Sequence, residues 1–276
     1  MHKSRFFFLI LFVLMGSIGS GVSQFKPEQV AEREVWEDFL MEAEIIDSEQ
    51  PFSVREAVTR PWKLTLEKDG ITRKALWKNA KGRMKGFMEN WKWEIAAYRL
   101  DKYLELNMVP PTVERRFQGD RGSCQIWIDA MMSLKEKYEK NIKTPSYKIY
   151  YWNRALFLQR AFDNLIANED RHQNQFLIMD DWRMILIDHS RSFRTDKKFT
   201  KKLIYDEKYH EGPRLMKELP RAFYEKLKTL DSGVLRDVTG DYLTEKEIEA
   251  VLIRRDLIIK WIDKRIKKLG EDKVLY

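Results

Sequence analysis

The stretch from Asp163 to Phe193, DNLIANEDRHQNQFLIMDDWRMILIDHSRSF, constrains this chain more than any other. Two short apolar runs, Phe176 to Met179 and Arg183 to Ile187, flank the turn signal Asp180-Asp181, which predicts a β-hairpin. Asp170, Arg171, His172 and Asn174 precede the first run, and Asp188 ends the second. An antiparallel return brings Asp170 and Asp188 to the same end of the hairpin. Two carboxylates on a rigid two-stranded unit can hold a divalent cation beside a reacting group.

Elements of both kinds flank this hairpin. Residues 26 to 47 read as an acidic amphipathic helix with Pro27 near its start, a brace within a segment set at residues 24 to 50. Short alternating runs follow, WKLTL at 62–66 and TRKALWK at 72–78, around the turn Lys68-Asp69-Gly70. Ala80 to Met88 reads as a basic loop, and Phe87 to Leu106 as a helix buried on two faces, with Glu94 beside the stripe of Phe87, Trp91, Ile95 and Tyr98. Taken alone, Glu94 is a surface partner for Lys92 or Lys102. Thr112 to Phe117 and Gln125 to Ile128 read as strands around a turn containing Gly119, Asp120 and Gly122. Residues 130 to 148 are a Lys-rich crossover, and Tyr150 to Ala167 is a helix that delivers the chain to Asp170. Pro220 opens a helix to about Leu230, and Thr244 with Glu247 forms a capping box for a last helix ending at Gly270.

Strands, a buried helix with an inward Glu, more strands and then helices interrupted by a hairpin make the order of a two-lobed kinase. Lys78 closes a strand sixteen residues before Glu94, which lets the two pair and hold the lysine against nucleotide phosphates. Asp170 precedes Asp188 by eighteen residues with a hairpin between, which fits a catalytic-loop aspartate followed by a metal-binding one. The bland alternative leaves both as hairpin-end residues satisfied by Arg171, Arg191 and backbone amides.

With Asp170-Arg171-His172, Ile187-Asp188-His189, Lys78 and Glu94 in this order, the sequence resembles the kinase-like superfamily of phosphatidylinositol 3- and 4-kinases, HipA-type bacterial kinases and secretory-pathway kinases. WEIAAYRLDKYLELNMVPPTV and WRMILIDHSRSFR look, more closely, like bacterial proteins described as related to phosphoinositide kinases. The resemblance implies an α+β, two-lobed protein-kinase-like fold: a small, mostly β N-lobe with one buried helix at 51–128 and a larger helical C-lobe at 129–276. It implies ATP with Mg²⁺ or Mn²⁺ as cofactors and an unknown hydroxyl, on protein, lipid or sugar, as acceptor. Asp170 would orient or deprotonate that hydroxyl and His172 would lie near the transferring phosphate. Asp188 would bind metal, Lys78 would contact the phosphates and Glu94 would hold Lys78. Arg171 would be a structural partner. Thr59, in a phosphate-covering loop at 55–61, and Ile128, at the hinge against which adenine packs, complete the nucleotide site.

Two departures stand out. The position five residues after Asp170, where a kinase carries a metal-binding Asn, is Gln175, with Asn174 one place earlier, so both are metal candidates. Between Phe52 and Lys78 the one glycine is Gly70, although a backbone approaches phosphate most easily at Gly. The alternatives are a nucleotide-binding pseudokinase acting as an interaction module and a metal-dependent hydrolase using Asp170, His172, Asp188 and His189, whose spacing matches no closed ligand set.

With 43% hydrophobic residues, 9 Trp and 15 Phe in 276 residues, the chain has ample core material, which excludes disorder as the main state. The net charge of +8 is a small excess of 51 basic over 43 acidic side chains, a mixed solvated surface that gives no reason to expect nucleic acid. Lys3 and Arg5 ahead of the apolar run Phe6 to Met15 predict a signal peptide at 1–23, cleaved near Ser23, and export to a periplasmic or extracellular space. An uncleaved membrane anchor is the alternative and would keep a cytoplasmic domain near ATP, which is scarce outside the cell. Cys124 is the only cysteine, so no intramolecular disulfide forms, and it is expected as a buried or semi-buried free thiol in a monomer.

Overall fold

The computed structural model describes residues 25–50, 59–205 and 215–276. The expected signal peptide and most of the loop at 55–61 lie outside the described residues. After α1 (Pro27–Ala31) and α2 (Arg33–Glu42), five strands build one antiparallel sheet: β1 (Glu44–Glu49), β2 (Trp62–Lys68), β3 (Ile71–Lys78) and, later in the chain, β6 (Thr112–Phe117) and β7 (Asp120–Ile126), in the order β1-β2-β3-β7-β6. Between β3 and β6 come a small hairpin, β4 (Lys81–Met84) with β5 (Phe87–Asn90), and helix α3 (Trp91–Leu104). The remainder is largely helical: β8 (Met132–Ser133), α4 (Leu134–Glu139), α5 (Ile149–Ile166), β9 (Phe176–Ile178), β10 (Met184–Leu186), α6 (Lys197–Thr200), α7 (Arg221–Thr229), α8 (Ser232–Thr239) and α9 (Glu245–Leu269). This is the expected α+β arrangement of a sheet lobe with one buried helix and a helical lobe.

Each lobe has its own core. Leu64, Leu66, Ala75, Trp77 and Cys124 close the sheet lobe under Phe39 and Leu40 of α2. The larger core gathers the inner faces of α3, α5, α7 and α9 with β9 and β10, and α3 packs against β6 and β7 on one side and α8 on the other. The two-faced burial read from its sequence follows from that position. The chain passes between the lobes after β7, with Trp127 N–H bonded to Lys74 C=O at 2.9 Å and Met131 N–H to Ile178 C=O at 3.0 Å.

Four sequence readings need correction. The brace helix does not reach residue 47: Arg115 in β6 donates to the carbonyls of Leu40 and Ala43, capping the end of α2. Glu44–Glu49 then pairs with β2 as an edge strand, a state decided by a distant neighbour rather than by local propensity. Residues 80–90 form a hairpin rather than a loop and a first helical turn. Lys85 and Gly86 both take positive φ (45° and 88°), the two-residue turn that matches strand twist. Phe87 is consequently 45% exposed, off the core stripe, and α3 starts only where Asn90 accepts from Lys92 N–H at 3.1 Å. Gly122 lies within β7 rather than in the turn, and that strand ends at Ile126, short of Ile128. A side chain at Gly122 would meet Lys78 O at 2.4 Å and the Trp77 ring at 2.6 Å, so the position admits glycine only. Thr244 and Glu247 cap α9 as expected, Thr244 N–H bonding Glu247 at 2.7 Å.

The brace is anchored through a buried ion pair. Arg33 on α2 donates to Asp101 on α3 at 3.1 Å, and the other Asp101 oxygen accepts the Met108 and Val109 amides at 2.8 and 3.1 Å. With Asp101 wholly buried, those donors offset part of the cost of removing its charge from water, and burial still pushes the carboxyl up to about 6.

Candidate active site

Lys78 stands at the end of β3, in register with Ser123 of β7, and its side chain runs under the sheet toward α3. Its Nζ donates to Glu94 at 2.7 Å and to Asp188 at 2.9 Å. Glu94 is therefore no surface partner of Lys92 or Lys102; it is 2% exposed. Burial alone would push the Lys78 ammonium down, but the carboxylates of Asp188 and Glu94 oppose this and hold it above the ordinary lysine range. Glu94 feels the same balance from the other side: burial pushes it up, Lys78 and His189 pull it down, and the net direction is down.

Asp188 follows β10 with φ at 62°, a left-handed conformation that aspartate tolerates better than most residues. It is ringed by donors. Beside Lys78, Ser190 Oγ lies 3.1 Å from one carboxylate oxygen, and Gln175 Nε2 donates to the other at 3.1 Å. Burial opposes its charge, but Lys78 and Ser190 overcome it and hold the carboxyl below the usual carboxylate range. The Gln175 amide oxygen accepts from His172 N–H at 3.2 Å, so this side chain ties the loop carrying Asp170 to Asp188. Gln175 is 2% exposed, whereas Asn174 is exposed and outside this network.

Asp170 occupies the same end of the hairpin in a different setting. Its backbone N–H bonds the Asn168 side chain at 3.2 Å, and its carboxylate pairs with Arg191 at 3.0 Å. Arg191 in turn holds Glu89, buried at the end of β5. Half-burial pushes the Asp170 carboxyl up, with Asp188 adding to that and Arg191 opposing, so it lies above the ordinary aspartate value.

Arg171 organises the loop from beneath. It grips Asp163 of α5 with two bonds of 2.9 and 3.0 Å, and donates to Ile187 O at 2.6 Å and to His189 Nε2 at 2.9 Å. Because an arginine N–H can only donate, Nε2 accepts, and the proton of the neutral imidazole sits on Nδ1, 3.7 Å from Glu94. Burial lowers His189, in keeping with the neutral ring. The His189 ring is thus held by Arg171 and its backbone N–H donates to Glu94 at 2.8 Å, and His172 is exposed. Among the described residues no three His, Cys, Asp or Glu side chains group to hold a metal, so the four-residue hydrolase set is not assembled.

Lys78, Glu94, Asp188 and Gln175 meet in one cluster, and Asp170 and His172 stand on the loop beside it. Thr59 is half-buried in a turn before β2 and no hydrogen bond joins it to the cluster; Ile128 is half-buried in the linker between the lobes. Sequence reasoning missed Glu89 and Asp163, the carboxylates that fix Arg191 and Arg171, because both pairings depend on tertiary approach. A divalent cation of the Mg²⁺ type needs one or two carboxylates, with phosphate oxygens and water completing its shell. The Asp188 carboxylate is a donor of that class and Asp170 is a second nearby carboxylate, so these two residues fit such an ion, while the Gln175 amide turns its nitrogen to Asp188 and its oxygen to the His172 amide.

No family model matches the sequence, and no curated protein matches it. Solved structures do share its fold. The structure of hydra Fam20 with sugar has a TM-score of 0.63 at 16% identity, covering 89% of this chain and 92% of that one. The Golgi casein kinase has a TM-score of 0.62 at 16% identity, covering 92% of this chain and 80% of that one, and its form with Mn and ADP bound matches equally well. The chain has a kinase-like fold.

Proposed function

We propose that this chain is an ATP-dependent atypical kinase that transfers the γ-phosphoryl group to a hydroxyl acceptor. The observation that carries the reading is the buried Lys78 ammonium held between Glu94 and Asp188, with Gln175 joining Asp188 to the loop of Asp170. A lysine fixed by two carboxylates at a lobe junction is placed to meet nucleotide phosphates once one of those carboxylates takes a new partner. The acceptor oxygen forms a bond to the γ-phosphorus, the bond from that phosphorus to the β–γ bridging oxygen breaks, and ADP leaves. Asp170, whose surroundings raise its proton affinity, receives the hydroxyl proton. Mg²⁺ or Mn²⁺ held at Asp188, which Gln175 orients through its amide nitrogen, would supply positive charge against the phosphates. Lys78 does the same from the sheet lobe, Glu94 keeps it aimed, and His172 borders the transferring group. A solved relative in fold carries Mn and ADP, which supports the same pair of cofactors here.

One observation favours a second reading. Both Asp188 oxygens are already engaged, by Lys78 and Ser190 on one and Gln175 on the other, a closed arrangement suited to a nucleotide-binding pseudokinase. Incubating the full chain with γ-labelled ATP, Mg²⁺ or Mn²⁺ and a panel of protein, lipid and sugar hydroxyls separates the two. The kinase reading expects label on an acceptor, lost in Asp170→Ala and Asp188→Asn. Nucleotide that raises the melting temperature with no label transferred supports the pseudokinase. Neither effect would sink both.

A further inference from the structure

A cavity of about 940 Å³ opens beside the loop that carries Asp170, bounded by α4, α5, that loop and the segment around Tyr205. Tyr138, Phe176 and Tyr205 give it aromatic walls, and Glu169 and Arg171, on either side of Asp170 in the chain, line it with His172 and Asn174. Its charges are not balanced. Arg171 is neutralised by Asp163, Glu169 by Arg194 at 3.1 Å and Lys198 at 3.3 Å, and Lys135 pairs in solvent with Glu139 at 3.6 Å. Arg160, on the cavity face of α5, has no carboxylate within ion-pair distance among the described residues. Its Nε is shut from water and bonded to nothing, and neither terminal nitrogen is bonded to a described protein group.

A half-buried guanidinium left without an anion costs free energy that a bound carboxylate or phosphate would offset with two parallel hydrogen bonds. Burial lowers Arg160 from its ordinary range with no carboxylate to oppose it, yet arginine keeps its charge in proteins. The volume is that of a small-molecule pocket rather than of an extended polymer groove. Aromatic faces beside the exposed Asn174 amide suit a hydroxylated compound, while the buried Gln159 amide is held by Asp163 and the Tyr205 hydroxyl behind them. We infer that this cavity is the acceptor-side subsite for a small hydroxylated anion of the sugar-acid or sugar-phosphate class, with Arg160 as the residue that selects its charge. Its assignment to the acceptor rests on the kinase reading; its anion chemistry does not.

Calorimetric titration of the full chain without nucleotide, using D-glucuronate, D-glucose 6-phosphate and D-glucose, tests this. Both anions are expected to bind at least about tenfold more tightly than glucose. Arg160→Gln is expected to erase the preference and Arg160→Lys to keep part of it, since a point charge lacks the bidentate fork. Equal binding of all three sugars by the native chain would overturn the inference, as would an unchanged preference in a folded Arg160→Gln protein. Binding of hexaglutamate more tightly than either sugar anion, lost in Arg160→Gln, would overturn the choice of a sugar anion in favour of an acidic peptide. Because no nucleotide is present, anion binding that survives where no label is ever transferred leaves the subsite standing and refutes only the kinase reading.

Discussion

Asp188 and Asp170 stand at one end of the same hairpin, yet their surroundings push them in opposite directions. Asp188 is met by Lys78, Ser190 and Gln175 and is held below the usual carboxylate range; Asp170 has one charged partner, Arg191, and is pushed above it. Two carboxylates with proton affinities moved apart are how one site keeps a permanent anion beside a proton acceptor. The difference is made by neighbours rather than by sequence: a buried lysine from β3 and an amide from the hairpin's own base surround one aspartate, while the other faces half into solvent. The buried cations of the two regions differ likewise. Lys78 has two carboxylates and Arg160 none among the described residues, and the first reads as a built centre and the second as a place awaiting an anion.

The comparison breaks most completely at Asp170. Asp170→Asn keeps the shape and the Asn168 contact but cannot take a proton, and kcat should fall by about 10²–10⁴-fold with nucleotide affinity unchanged, measured by steady-state transfer and calorimetry. The acid limb of the native pH profile should lie above the range of an ordinary aspartate. Arg191→Leu removes the cation that opposes the upward push, so that limb should move to still higher pH; movement to lower pH would contradict the role given to Arg191.

Gln175 sharpens the Asp188 side. Gln175→Ala should raise the Mn²⁺ concentration needed for half-maximal transfer by about tenfold, the range seen when metal-site partners are removed. Asn174→Ala should leave it unchanged, and the reverse result would mean that the exposed amide reaches the metal. Gly122→Ala forces the Trp77 ring and the Lys78 backbone apart, and an overpacking cost of about 1–3 kcal/mol should appear in denaturant melts. The smallest effect concerns Cys124, which is wholly buried and whose thiol burial pushes up to about 12. It should resist iodoacetamide at neutral pH in the folded chain and react on unfolding.

Much of the site was legible because its parts repeat a spacing that geometry demands. A strand-end Lys78 and a helix Glu94 sixteen residues on, and two aspartates flanking a hairpin, can meet in few ways once a sheet packs on a helix. The cap at Thr244 and Glu247 was legible for the opposite reason, being wholly local. What was not legible depended on distant partners. Glu44–Glu49 sets Ile45 and Ile46 among four polar residues, reads as the end of a helix, and becomes a strand where β2 offers an edge. Phe87 reads as a helical stripe residue until the Lys85-Gly86 turn folds it into β5. Gln175 could be named as a departure, but its burial against Asp188, and the exposure of Asn174, needed the loop's geometry. Arg171 was recognisable as structural, whereas Asp163, the carboxylate it grips, carries no signal beyond sitting late in a helix.

The claim that Lys78 and Asp188 together form a nucleotide-phosphate centre is tested most directly by calorimetric titration of the full chain with Mn²⁺–ATP. The account predicts one saturable site per chain, abolished in Asp188→Asn, whose cooperative melting confirms that it is folded. No saturable binding by the native chain, or binding of the same affinity in Asp188→Asn, would contradict it.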